Sequence, residues 1–266
     1  MIFMGNIHMN IYGFDKTSLL NYPGHVAATV FTGGCNMRCP YCHNSELVLD
    51  PPADMKIPEE EVLAHLKKRS NVLSGLCITG GEPTLQPDLR DFIIKVRALG
   101  YKIKLDTNGL KPDTLKGLLD EGLLDYVAMD IKAGRENYGR TTGIASEPNE
   151  AVETAGHSAD SGYIDRISES VRILTGSDID YDFRTTVVKG LHTADDFTDI
   201  RDWLAEIIDE SGNGIRVRHY YLQSYVYRDT VLDKSGDYDS FTKEELENLA
   251  GILEPIAEKV MLRGIE

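Results

Sequence analysis

Three cysteines, Cys35, Cys39 and Cys42, fall within the stretch Gly33-Gly34-Cys35-Asn36-Met37-Arg38-Cys39-Pro40-Tyr41-Cys42-His43-Asn44. Thiolates at this C-x-x-x-C-x-x-C spacing suit soft metals and iron–sulfur clusters. A four-iron cube has four corners, so three thiolates leave one iron open to chelate a substrate, as the open position of a catalytic zinc does. Structural zinc would need a fourth protein ligand, and His43, next to Cys42, is poorly placed to complete a tetrahedron. Cys39-Pro40-Tyr41-Cys42-His43 also matches the c-type haem pattern, an attachment made outside the cytoplasm. A thioredoxin-like dithiol would leave Cys35 without a role. Cys77, in Leu76-Cys77-Ile78, reads as a buried small hydrophobe.

Other groups with chemical capacity are spread along the chain. Gly80-Gly81-Glu82-Pro83 follows a strand; its glycines let backbone approach a ligand, its amides could bind an anion, and Glu82 could accept from an ammonium. Asp106-Thr107-Asn108-Gly109 reads by itself as a turn. Asp130 and Lys132 lie two apart on a strand and so share a face. Met129 and Ile131 mark that strand as buried, where a charged pair needs partners or a ligand. His192 and His219 have no motif support and read as ordinary polar residues.

The elements that must position these groups alternate. Strands are expected at 26–32, 75–79, 102–107, 126–131, 181–188 and 215–222, and helices at 58–70, 85–99, 113–121, 164–174, 194–210 and 242–259. Thr242-Lys243-Glu244-Glu245 forms a capping-box start for the last helix. Strand–helix alternation implies parallel strands with helices packed outside, in an open doubly wound sheet or a full or partial barrel. In either architecture ligands gather at the carboxyl ends of strands. The candidate groups sit there: Cys35, Gly80 to Pro83, Thr107 to Gly109, Asp130 to Lys132, Lys189-Gly190 and Gln223. Residues 139–162, rich in Gly, Ser, Thr, Glu and Ala, break the rhythm and read as a flexible insertion in a single domain spanning 1–266.

The chain has 266 residues and a formal net charge of −15 at pH 7, with 41% hydrophobic and 27% charged residues. Its acidity argues against nucleic-acid and anionic-membrane partners. No segment approaches the roughly 20 apolar residues of a membrane span, and the first residues do not read as a signal peptide, so a cytoplasmic location is expected.

Taken together, the cysteine triplet and Gly80-Gly81-Glu82-Pro83 resemble the radical S-adenosylmethionine superfamily. Within it the chain is similar to the glycyl-radical-enzyme activases, through Gly13 to Gly24, Met129-Asp130-Ile131-Lys132, and Tyr181 to Val188; the last segment resembles the anaerobic ribonucleoside-triphosphate reductase-activating proteins. The resemblance implies an α/β fold, a partial (β/α)6 TIM-like barrel with parallel strands inside and helices outside. It implies that Cys35, Cys39 and Cys42 ligate a 4Fe–4S cluster whose fourth iron is chelated by S-adenosylmethionine. Tyr41 would meet the adenine through its backbone, with His43 close by. Gly80, Gly81 and Glu82 would hold the methionyl amino group, Lys132 its carboxylate, and Arg184 would reach the same site. Thr107, Asn108 and Asp130 would also border the cofactor. Asp106, Thr107, Met129 and Asp130 match positions where activases bind a monovalent cation.

The activity implied is one-electron cleavage of S-adenosylmethionine to a 5′-deoxyadenosyl radical, which removes hydrogen from a glycine of a partner enzyme, with anaerobic ribonucleotide reductase as the leading partner. A ferredoxin- or flavodoxin-type protein would supply the electron. Pyruvate formate-lyase activation, a small-molecule reaction such as deazapurine formation, and an iron–sulfur carrier remain as alternatives.

Overall fold

The computed structural model describes residues 9–49, 51–144, 162–210 and 216–265. They group into two compact units, Met1–Asn36 with Glu46–Thr107 and Asp113–Val127, and Met37–Ser45 with Asn108–Pro112 and Ala128–Glu266.

The first unit holds β1 (Ile11–Ser18), β2 (Ala27–Thr32), β3 (Gly75–Gly80) and β4 (Lys102–Thr107). Its helices are α1 (Ser45–Val48), α2 (Glu59–Arg69), α3 (Leu89–Ala98) and α4 (Pro112–Asp120), with α1 and α4 each beginning one residue outside it. Strand order follows chain order. β2, β3 and β4 are parallel, with Thr32 opposite Gly80 and Ile78 opposite Leu105. Burial on both faces is what a parallel strand requires, and Ala27, Ala28, Val30, Leu76, Ile78, Ile103 and Leu105 are all buried. Phe92, Ile93 and Val96 of α3 join that core at helical spacing.

β5 (Tyr126–Asp130) begins in the first unit and ends in the second. The second unit continues with α5 (Tyr138–Thr142), α6 (Gly162–Thr175), β6 (Asp180–Val187), α7 (Ala194–Glu210), β7 (Val217–Ser224), α8 (Lys243–Leu253) and β8 (Ala257–Arg263). β6, β7 and β8 are parallel neighbours in chain order. The capping box of α8 is present: the Thr242 hydroxyl accepts the Glu245 amide and the Glu245 carboxylate accepts the Thr242 amide.

All six expected strands form, as β2 to β7. The larger departures from the sequence reading are an added first strand, an early end to the last helix and a late start to α3. β1 runs antiparallel to β2 and was not expected; Gly13, Asp15 and Lys16 interrupt its apolar alternation, as suits an edge strand guarded by charge. The expected helix 242–259 stops at Leu253, and Ala257–Arg263 is a strand; Pro255 cannot continue a helix, although Ile256 keeps the apolar spacing. The expected helix 85–99 starts only at Leu89, after a 3₁₀ turn at Pro83–Leu85, because Pro87 disfavours helical geometry at Gln86. Of the proposed insertion, 139–142 belong to α5 and Gly162 opens α6, while 145–161 lie outside the described residues. Among the described residues, no helix is long and apolar enough to cross a membrane.

Candidate functional site

In the first unit the chain leaves β2 through Gly33-Gly34 and arrives at Cys35. That turn is fastened from several sides. Gly34 donates its amide to Leu47 O at 2.7 Å, and Gly34 O accepts the Glu82 amide at 2.8 Å. Gly33 O accepts Gln86 Nε2 at 2.8 Å. Gly80, at φ 120°, and Gly81 pack their backbone against the end of β2: a Cβ at 81 would lie 1.9 Å from Gly34 O. Because Gly81 donates to Thr32 O and Glu82 to Gly34 O, these two amides brace the cysteine turn rather than cradle an anion. Glu82 is buried and accepts through Oε1 from the Thr84 amide (3.1 Å), the Thr84 hydroxyl (2.5 Å) and the Thr107 hydroxyl (2.7 Å). Asp106 pairs with the buried ammonium of Lys104. Cys77 Sγ lies 3.8 Å from both partners, so this thiol has polar neighbours as well as apolar ones.

In the second unit Cys39 and Cys42 share one turn, the Cys42 amide donating to Cys39 O at 3.0 Å. The turn is held by the Arg38 amide on Thr142 O (2.8 Å) and the Asp233 amide on Pro40 O (2.8 Å). Burial pushes the Cys42 thiol up, against the Asn44 backbone and the charges of Lys132 and Arg38, which pull it down. Burial likewise lifts the Tyr41 phenol well above its ordinary value. The buried Tyr41 hydroxyl and His43 Nε2 have no hydrogen-bond partner among the described residues. The His43 ring stacks on Tyr225, centroids 5.6 Å apart.

At the end of β5, Asp130 accepts from Lys132 Nζ at 2.9 Å and from Arg184 Nε at 2.5 Å. Burial works to raise the Asp130 carboxyl, but Arg184 and Lys132 outweigh it and hold it far below the usual range. Burial works to lower the Lys132 ammonium, and the Asp130 and Cys39 charges outweigh that. The pair therefore stays ionised at neutral pH. Met129 packs where a Cβ on Gly109 (φ 78°) would stand. Asn108 turns its side chain onto the Leu110 amide at 3.0 Å.

The structure thus brings together Glu82 with Thr107 in one unit, and Asp130, Lys132 and Arg184 in the other. The carboxylates expected to hold a monovalent cation are already met by protein cations, Asp106 by Lys104 and Asp130 by Lys132 and Arg184. Two residues that the sequence reading gave no role meet the backbone of this strand: His192, whose Nε2 lies 2.7 Å from Lys132 O, and Thr185, whose hydroxyl donates to Ile131 O at 2.6 Å. Neither belongs to a spacing motif, and only the fold brings them to Lys132.

Thiols are the soft donors that an iron–sulfur cluster takes, so the donor chemistry of the cysteines suits such a cluster. A buried thiol raised by desolvation is deprotonated outright by a coordinated metal, and Lys132 and Arg38 supply charge that favours the thiolate.

The Radical SAM superfamily model matches residues 29–187. The chain belongs to that superfamily, whose members carry a 4Fe–4S cluster and S-adenosylmethionine. A Methanocaldococcus jannaschii protein named "Putative glycyl-radical enzyme activating enzyme MJ1227" is 35% identical over 132 residues, 48% of this chain and 52% of its own length. The 7-carboxy-7-deazaguanine synthase of Methanopyrus kandleri is 33% identical over 131 residues, 42% and 51%. The pyruvate formate-lyase-activating enzyme of Clostridium pasteurianum is 30% identical over 134 residues, 48% and 53%. The chain spans about half the length of the curated relatives it matches. Among solved structures, TYW1 with a lysine-pyruvate adduct bound has a TM-score of 0.58 at 19% identity, covering 87% of this chain and 74% of that one. Streptococcus suis SuiB bound to precursor peptide SuiA has a TM-score of 0.62 at 14% identity, covering 89% and 48%. At these identities the likeness concerns the fold, the α/β partial barrel with parallel strands inside.

Proposed function

We propose that the chain is a radical S-adenosylmethionine enzyme that installs a glycyl radical on a partner enzyme, anaerobic ribonucleotide reductase being the leading candidate. The observation that carries this reading is the part-buried, ion-paired Asp130–Lys132–Arg184 group at the end of β5. A 4Fe–4S cluster held by Cys35, Cys39 and Cys42 would supply one-electron reductive cleavage of S-adenosylmethionine at its S–C5′ bond.

The chain's own residues hold and orient the reactants. The three cysteines would hold the cluster, leaving it one position short of full protein ligation so that S-adenosylmethionine could bind there. Lys132 and Arg184 carry fixed positive charge toward that carboxylate, with Asp130 keeping both extended. Glu82, locked by Thr84 and Thr107, takes the amino group. Tyr41 and His43 border the adenine. The electron comes from a ferredoxin- or flavodoxin-type donor. The family match draws residues from both compact units, which supports one radical S-adenosylmethionine domain.

Relatives named as activases support the glycine substrate. Relatives named 7-carboxy-7-deazaguanine synthase support a second reading, a small-molecule substrate. Anaerobic incubation of the reduced, cluster-loaded protein with S-adenosylmethionine and the reductase separates them. A glycyl radical in the electron paramagnetic resonance spectrum is expected. 5′-Deoxyadenosine formed only with a purine-like small molecule would favour the second reading, and no cleavage with either would end both. Lys132→Ala should keep the cluster and lose cleavage.

A further inference from the structure

His192 follows β6 in Val188-Lys189-Gly190-Leu191-His192 and is 3% exposed. Gly190, at φ 97°, makes the tight turn that brings it back; a Cβ there would meet Asp237 O at 2.5 Å. Asn137 Nδ2 fastens the loop through Leu191 O at 2.8 Å. Both ring nitrogens are used. Nδ1 accepts the Val188 amide at 3.0 Å, which places the proton on Nε2, and Nε2 donates to Lys132 O at 2.7 Å.

The ring lies between those of Tyr41 and Phe197, each 6.3 Å away by centroid. The titratable groups around it are Tyr41, Lys132 and Asp196. Burial favours the neutral ring, and Lys132 adds to this while Asp196 opposes it. A second proton would turn Nδ1 from acceptor into donor against the Val188 amide.

Lys132 sits at the end of a backbone run pinned group by group. The Ile131 amide donates to Arg184 O at 2.9 Å. Ile131 O accepts the Thr185 hydroxyl, which meets the Tyr220 hydroxyl at 2.7 Å. His192 holds the next carbonyl, that of Lys132 itself. Without that anchor the backbone at Lys132 is free to shift and carry Nζ off its contact with Asp130, and misplacement by about 1 Å at a binding group costs on the order of a hundredfold.

We infer that His192 is a positioning residue for S-adenosylmethionine binding, tying the Lys132 carbonyl to Val188 so that the Lys132 ammonium is presented in one direction. The inference rests on the reading of Lys132 as the carboxylate partner. It is tested by a double-mutant cycle on cluster-loaded, unreduced protein, with the S-adenosylmethionine dissociation constant measured by equilibrium dialysis for the parent, His192→Ala, Lys132→Ala and the double variant. His192→Ala should weaken binding about tenfold to a hundredfold. In the Lys132→Ala background the same change should cost nothing further, because interacting residues are non-additive. Losses that multiply in the double variant, or parental affinity in His192→Ala, would overturn the inference and leave the reading of Lys132 intact. Parental affinity in Lys132→Ala would overturn the reading and the inference together. If His192→Ala does not fold, His192→Phe keeps the ring between Tyr41 and Phe197, removes both hydrogen bonds and carries the same cycle.

Discussion

Gly81 stands so close to Gly34 that a Cβ at position 81 would lie 1.9 Å from the Gly34 carbonyl oxygen. That oxygen accepts the amide of Glu82, so the turn before Cys35 and the turn before Glu82 are one packed unit. Gly81→Ala should cost about 1–3 kcal/mol through overpacking, read as a lower urea midpoint, and should reduce iron bound on reconstitution. Gly117→Ala, in α4 with nothing within 4 Å of its added Cβ, should instead stabilise by about 0.5–1 kcal/mol.

Thr107 donates its hydroxyl to buried Glu82 at 2.7 Å. Thr107→Val keeps the shape and removes the donor. Stability should fall by about 1–2 kcal/mol in urea titrations, and S-adenosylmethionine should bind more weakly because Glu82 loses one of the groups that fix its carboxylate.

The Asp130 carboxyl is held below its ordinary value in the folded protein by Arg184 and Lys132, against burial. A depressed folded pKa means that its stabilising contribution is complete above the unfolded carboxylate value, about 3.9, and is lost as pH falls toward the folded one. Urea midpoints should therefore show no Asp130 contribution to pH dependence between about pH 5 and 8. Below about pH 4 the parent should lose stability more steeply than Asp130→Asn. At pH 7 Asp130→Asn should be less stable than the parent, since removing one partner leaves Lys132 and Arg184 uncompensated.

The Cys39–Cys42 turn, the Gly80 to Glu82 turn and the Asp130–Lys132 pair are legible because each is encoded by local spacing. The six inner strands were legible for the same reason: parallel strands buried on both faces read as continuous apolar runs, as in Ala27 to Thr32. The edges were not. β1 carries Asp15 and Lys16 outward, and β8 follows a proline within an unbroken apolar spacing, so local pattern favoured the wrong element. The amides of Gly81 and Glu82 illustrate another limit, because their acceptors, Thr32 and Gly34, lie far away in sequence. The contact of His192 with Lys132 O is not legible locally, because its two partners lie 60 residues apart in sequence.

The central claim is that Cys35, Cys39 and Cys42 leave one iron of a cluster open to S-adenosylmethionine. The direct measurement is anaerobic reconstitution with iron and sulfide analysis, followed by electron paramagnetic resonance of the reduced protein with and without S-adenosylmethionine. The account predicts about four irons per chain, a brown chromophore, and a reduced-cluster spectrum that shifts when S-adenosylmethionine is added. A colourless protein carrying one zinc, or a cluster spectrum indifferent to S-adenosylmethionine, would contradict it.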